Sequence, residues 1–276
     1  MHQQTMGQYN MKKIIIKISL GCLFVLSFSP LFLYANSSQQ QGESIMIEVE
    51  KRDEGFGDFS GSVKMMLKDR DGEKALRYFR VHNLEVSNDG DKRLLVFDKP
   101  RDIARTALLT YSHSLTNDDQ WLFMPAINRV KRISSNNKSG PFVGSEFAYE
   151  DLSSQEYEKY GEYRLLGEEN VNGVDCFKVE RVPLYKHSGY SKQVVWIDKQ
   201  QYRYQKISYY DKAGIHYKEL ELLNYEKFLD KYWRATSMIM KNKQTGKMTT
   251  LTWENIEFQT GIRESLFTKT ALKRAR

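Results

Sequence analysis

Two cysteines, five prolines and five histidines in 276 residues leave little room for several kinds of chemistry. Cys22 falls in an apolar N-terminal stretch and Cys176 in the strand-like run NGVDCF. A chain exported with one thiol has no internal disulfide, so burial must hold it together. The histidines (His2, His82, His113, His187, His216) are scattered. None forms HExxH or stands at metal-ligand spacing from a second His, Cys or acid, so no metal site is expected. No phosphate-binding glycine loop is present, and nothing calls for a cofactor. FVGSEFAYED places Ser145 after Gly144, but no glycine follows at the offset of a nucleophile elbow. The chain is therefore expected not to be an enzyme.

Long apolar runs are scarce too, and the one present is N-terminal. In MKKIIIKISLGCLFVLSFSPLFLYANSSQQ, Lys12, Lys13 and Lys17 precede an apolar stretch from about Ile18 to Leu33. Small Ala35 and polar Asn36, Ser37 and Ser38 follow. This pattern predicts a cleavable signal peptide over residues 1–35, cut after Ala35, with Met11 an alternative start. A permanent anchor fits less well because the stretch is short and broken by Pro30. A lipidated Cys22 fits less well because Ser19-Leu20-Gly21 is a poor lipobox. Removing residues 1–35 takes away three lysines and no acid, so the net charge falls from +7 to +4. That balance suits anionic headgroups and is too small to argue for nucleic acid.

What the chain has in abundance is period-two patterning. SIMIEVEKRD (Ser44–Asp53) reads as a short amphipathic helix stopped by Gly55 and Gly57. Beyond it, roughly eleven to thirteen strand-like segments follow one another, with turns at Asp71-Gly72, Asn172-Gly173, Asp211–Gly214 and Thr245-Gly246. No linker divides them, so residues 36–276 read as one antiparallel domain. Several strands are apolar on both faces. Trp121 and Phe123 oppose Leu122 and Met124; Val194 and Trp196 oppose Val195 and Ile197; Met238 and Met240 oppose Ile239. Such strands need cover on both sides, from a sandwich or from a barrel-like sheet with helices in its concave side. Aromatic and methionine side chains of this kind suit either an ordinary core or an acyl-chain pocket lined by Trp121, Phe123, Met124, Trp196, Met238 and Met240.

One polar feature stands out. NRVKRIS sets Arg129, Lys131 and Arg132 on a short strand, where they could grip a phosphate headgroup or simply protect a solvated edge. The following SGPFVGSEFAYEDLSS offers hinges at Gly140, Pro141 and Gly144 and apolar plugs at Phe142, Phe147 and Tyr149. It reads as a lid whose two phenylalanines could be changed to alanine with the fold intact.

The segments TALLTYSH, DDQWLFMPAINRVKRISSNNKSGPFVGSEFAYEDLSSQE, GYSKQVVWID, DKYWRA, QTGKMTTLTW and LKRAR resemble the LolA-like family of outer-membrane lipoprotein-sorting proteins, from about Glu43 to Arg276. The resemblance implies a mainly β fold: one strongly curved, incomplete antiparallel barrel with short helices over its apolar concave face. It implies a periplasmic carrier that binds acyl chains of lipids or lipoproteins, contacts membranes transiently and works beside an RND-type transporter. It assigns no site residue, because no motif here aligns with the carriers' cargo-contacting positions. The alternative is a non-enzymatic envelope subunit that docks on a transporter or outer-membrane complex with its concavity filled by its own helices.

Overall fold

The computed structural model describes residues 30–275, so the expected signal peptide (1–35) and Met11 start fall mostly outside the described residues. A long helix, α1 (Pro30–Asp53), comes first. It reaches well upstream of the expected Ser44 start. Residues 37–41, polar and largely exposed, carry no amphipathic period to read, and the helix's buried positions begin at Gly42 among the residues whose side chains are described. Six strands follow: β1 (Asp58–Lys68), β2 (Lys74–Leu84), β3 (Lys92–Lys99), β4 (Ala107–Tyr111), β5 (Asp119–Met124) and β6 (Arg129–Arg132). After a segment of short 3-10 turns come β7 (Tyr160–Val171), β8 (Val174–Pro183), β9 (Lys192–Asp198) and β10 (Tyr204–Tyr210). The chain ends with β11 (His216–Phe228), β12 (Tyr232–Asn242), β13 (Met248–Phe258) and a short helix, α2 (Lys269–Leu272).

All thirteen strands form one antiparallel sheet in the order β6-β5-β4-β3-β2-β1-β13-β12-β11-β10-β9-β8-β7. The turns follow from their residues. Asn172 and Gly173 both take left-handed backbone angles (φ 51° and 86°) between the paired Val171 and Val174. That is the backbone a two-residue hairpin requires. Bulges at Ser60/Ser62, Tyr78/Phe79, Gly161/Arg164 and Tyr204/Lys206 bend the strands and curl the sheet. The sheet stays open, because β6 and β7 lie at opposite edges. Residues 133–159 join these edges across the concave side.

Register carries the core across the sheet. Leu122, Leu108, Leu95 and Val81 are directly paired from β5 to β2. Met65, Leu251, Met238 and Leu222 continue from β1 to β11. Leu220, Ile207, Val195 and Val179 complete the band to β8. These residues share the principal core with Ile45 and Met46 of α1. The opposite, convex face has its own cover. Asp58 accepts hydrogen bonds from Thr260 N (2.8 Å) and Gly261 N (3.1 Å), which starts the C-terminal segment back over the sheet. Phe267, Leu272 and Ala275 then pack on Leu94, Val96, Ala107 and Leu109.

Helix α1 lies against β7, and Gly42 is its point of closest approach. A Cβ there would sit 2.9 Å from Leu165 N and 3.0 Å from the Arg164 backbone. Neither atom can yield without moving the strand. Gly42→Val is expected to destabilise the protein by about 1–3 kcal/mol, the usual cost of overpacking, and to expose α1 to protease. Urea unfolding and limited proteolysis check it; a wild-type midpoint and digestion rate would contradict it.

Candidate functional site

The segment between β6 and β7 forms a finger in the concavity. Phe142 N donates to Phe147 O (2.7 Å), and Pro141 bridges Ala148. Val143 and Gly144 take the left-handed angles that turn the tip (φ 46° and 71°). Phe142 is 0% exposed and stacks on Phe97, with ring centroids 5.7 Å apart, while Tyr149 meets it edge-on at 5.6 Å. Phe147 is buried in the same core. Of the expected lid residues, the three aromatics do fill the concave side. Gly140 and Pro141 lie at the base of the finger and Gly144 at its tip. The two phenylalanines belong to the principal core, so replacing them with alanine is not neutral to the fold. A buried Phe→Ala change costs about 3–5 kcal/mol.

Polar anchors bind this finger to strands all round the sheet. Asp151 accepts from Lys218 Nζ (2.6 Å), Tyr190 Oη (2.8 Å) and Ala148 N (2.7 Å). Lys218, 1% exposed, also donates to Glu146 O (3.0 Å) and lies 5.1–5.7 Å from the Tyr190, Tyr209 and Tyr217 rings. Glu150 accepts from Tyr185 Oη (2.9 Å), Ser188 Oγ (2.8 Å) and Gly189 N (2.8 Å). Burial, with Asp151 beside it, raises the Glu150 pKa above the ordinary value. Gln120 donates to Tyr149 O (2.9 Å), Arg93 to Leu152 O (2.7 Å), and Arg77 to Val143 O. The base of the segment is held by Lys159, which pairs with Asp118 and Glu156, each at 2.8 Å.

Among the described residues, buried Arg181 makes no hydrogen bond to a carboxylate. Arg181, 0% exposed, donates to Gln193 Oε1 (2.7 and 3.0 Å), Gln155 Oε1 (2.8 Å) and Tyr204 Oη (3.2 Å), and lies 3.7 Å from the Tyr160 ring centroid. Burial works to lower its pKa; the Tyr160, Tyr204, Tyr163 and Tyr209 hydroxyls outweigh that and raise it. Sequence reading missed Arg181 and Lys218. The available signal was phase: Arg181 falls two residues after inward Val179, and Lys218 two before inward Leu220.

Met238 and Met240 line the concave side, as does Leu122. Trp121 and Phe123 face away from it, against Phe267 and Leu272, and Lys269 Nζ stands 4.6 Å from the Trp121 ring. Trp196 is likewise convex, between Lys206 (3.8 Å) and Lys178 (5.1 Å). These three aromatics are corrected to the convex face, because alternation puts them out of phase with the concave band. Met124 is half-buried at the end of β5. Arg129, Lys131 and Arg132 lie exposed on the edge strand β6, with Arg132 paired to Asp119, so they do not stand over the buried cluster. The mouth near the C-terminal end of α1 instead holds a pocket of about 360 Å³ walled by Val49, Tyr202, Tyr204 and Trp233 and rimmed by Arg203 and Lys231.

Two expectations follow from the buried charges. Lys218→Met leaves Asp151 buried without its cation and is expected to cost about 3–5 kcal/mol. Adding Asp151→Asn should recover part of that loss, as a double-mutant cycle in urea would measure; additive losses would contradict the pairing. Glu50 on α1 accepts from Tyr157 N (2.7 Å), and burial pushes its pKa up to about 7 against that bond, with Glu158, Glu156 and Glu54 adding to the rise. Between the ordinary 4.5 and about 7 the folded chain keeps a proton that the unfolded chain has lost. Stability must therefore fall as pH rises through that window. Glu50→Gln is expected to flatten the decline and to be the more stable protein above about pH 7. Asp91, raised by burial to about 7 as well, leaves a residual slope. Thermal midpoints across pH would contradict this if the two profiles ran parallel.

Comparison with known proteins fits this architecture. Residues 89–274 match a family model described as an uncharacterized protein. Among curated proteins none matches. An outer membrane lipoprotein-sorting protein domain of Vibrio parahaemolyticus is 52% identical, superposes with a TM-score of 0.83, and is covered over 100% of its length by 86% of this chain. A DUF1329 family protein of Desulfovibrio piger is 30% identical, with a TM-score of 0.81 over 85% of this chain and 99% of its own. A LolA superfamily protein of Nitrosomonas europaea, 20% identical, shares the fold with a TM-score of 0.66 over 83% and 98% of the two chains. By sequence identity and coverage, the chain belongs to the family of these outer membrane lipoprotein-sorting and DUF1329 proteins, and it shares the open, curved sheet of the LolA superfamily protein as a fold.

Proposed function

We propose that this protein is a non-enzymatic carrier, exported to the periplasm, which holds acyl chains of lipids or lipoproteins against the concave face of its sheet. The observation that carries the reading is the apolar band from Leu122 to Val179, covered on its concave side by α1 and the Phe142 finger and not by a second sheet. An acyl chain would enter by displacing part of that cover.

Magnitudes permit such an exchange. Burying Phe142 and Phe147 is worth about 1.5–3 kcal/mol each, and each buried methylene about 0.8 kcal/mol. A chain of ~16 carbons with half its length buried offers ~6 kcal/mol, close to what the finger gives up. Tail and finger can thus compete for one site with a small net difference, as loading and release both require. An RND-type transporter as the donor or acceptor of cargo completes the proposal and comes from the family resemblance.

A second reading has its own observation. Phe142 is fully buried and firmly anchored, which suits an envelope subunit that keeps its concavity filled and docks on a transporter. Native mass spectrometry of detergent-free protein from a periplasmic extract, with lipid extraction, separates the two. The carrier is expected to retain a phospholipid or acylated species near one per chain. An unchanged apo mass after incubation with phospholipids and lipopeptides would overturn it in favour of the docking subunit.

A further inference from the structure

The charge of the protein is gathered at one edge. Arg129, Lys131 and Arg132 line β6, the free edge of the sheet, and Trp121 opposite Arg132 carries Lys269 of α2 over its ring. Lys273 and Arg274 follow, exposed between Leu272 and Ala275, whose side chains are buried in the cluster against which Val130 of β6 packs. The two segments, far apart in sequence, therefore meet at one rim of the sheet, Arg132 on the convex face with α2 and Arg129 and Lys131 on the other face of the same edge strand, so that cations flank the edge on both sides. Among the described residues, Asp119 takes Arg132 and Glu264 takes Lys92, and no ion pair engages the other five cations. These six side chains together with Asp119 carry +5, whereas residues 36–276 as a whole carry +4. The remainder of the chain is slightly acidic, so the basic edge gives the molecule an electrostatic direction.

Beside Arg129, the turn from β5 to β6 projects Pro125, Ala126 and Ile127, with Ile127 58% exposed. An apolar tip next to unpaired cations suits a layered partner, charged at its surface and apolar just beneath. A purely acidic protein or a nucleic acid would answer the cations and leave Ile127 in water.

We propose that the β6 edge and the C-terminal helix form a docking surface for a bilayer rich in anionic phospholipid, with Ile127 entering between the headgroups. This inference rests on the carrier reading for its purpose, since a lipid carrier must meet a membrane to load or unload, while its geometry stands apart from the concave site. It gives Arg129, Lys131 and Arg132 a bilayer surface to meet in place of the headgroup of a cargo held in the concavity.

Vesicle co-sedimentation tests it, with the chain from Asn36 to Arg276. That span is the mature chain that the expected signal-peptide cleavage leaves, and it holds every strand and the buried part of α1. Binding is expected to vesicles containing phosphatidylglycerol, with none to phosphatidylcholine alone, and to vanish in ~1 M salt, where the Debye length is ~3 Å. Each cation removed near an anionic surface lowers affinity about fivefold, so changing Arg129, Lys131, Lys273 and Arg274 together to Glu should abolish it. Ile127→Ser should weaken binding and leave its salt dependence unchanged. Thermal midpoints at the wild-type value show that these variants fold. Equal binding to phosphatidylcholine, wild-type binding by the charge-reversed variant, or equally tight capture of duplex DNA would each overturn the proposal. Native mass spectrometry of the same samples keeps the two hypotheses apart. Retained lipid without vesicle binding refutes the docking surface alone, and vesicle binding without retained lipid refutes the carrier alone.

Discussion

The ion pair of Lys218 and Asp151 is the contact on which the concave side depends. An open sheet of this curvature leaves one face to be covered by something other than strands, and the finger supplies that cover only while it is held down. Asp151 stands just beyond the finger and Lys218 deep on β11, so a single buried contact ties a loop to the far half of the sheet. Three tyrosine rings around the ammonium shield it from water, and Tyr190 donates to the same carboxylate. Buried charges of this kind contribute little net stability, and their loss singly is costly. They favour one arrangement over many compact alternatives.

A cover fixed by polar contacts behaves differently from one fixed by packing alone. Apolar contacts weaken gradually as a loop slides, whereas charged hydrogen bonds depend steeply on geometry. The finger should thus occupy a docked state or a released state, with few positions between. Helix α1 provides the other part of the cover and is fastened separately: Glu50 receives Tyr157 N, and Arg52 donates to Gln200 O (2.8 Å) with its guanidinium 4.1 Å from the Tyr202 ring centroid. The two covers touch through Tyr157, so movement of one is felt by the other.

Much of this fold is legible in the sequence, because antiparallel strands alternate and Gly, Asn and Asp mark their turns. The doubly apolar strands correctly announce cover on both faces. Alternation alone does not say which face is concave, and for that reason Trp121, Phe123 and Trp196 were expected beside Met238 and Met240 when they lie behind them. For Trp121 and Phe123 the deciding contact comes from residues 267–275, distant in sequence and without a pattern that names their partner. Buried Arg181 and Lys218 break the rule that charge marks the wet face, although their phase with Val179 and Leu220 carried the information. Residues 37–41 of α1 gave no period because they are polar and largely exposed. The basic edge is visible in sequence as three residues near mid-chain; its second half lies about 140 residues on, near the C-terminus.

The strand order has a consequence for how the molecule comes together. Its central pairing joins β1 to β13, the first strand to the last, with Phe59 opposite Phe258 and Met65 opposite Leu251. The two halves of the sheet, β1–β6 and β7–β13, are each built from local hairpins, so each can assemble early. Their seam waits for the end of the chain, and contacts of such long sequence separation form slowly. A truncation that removes β13 would therefore split the sheet down its middle rather than trim its rim. A partly synthesised chain has no complete concavity until its last strand arrives.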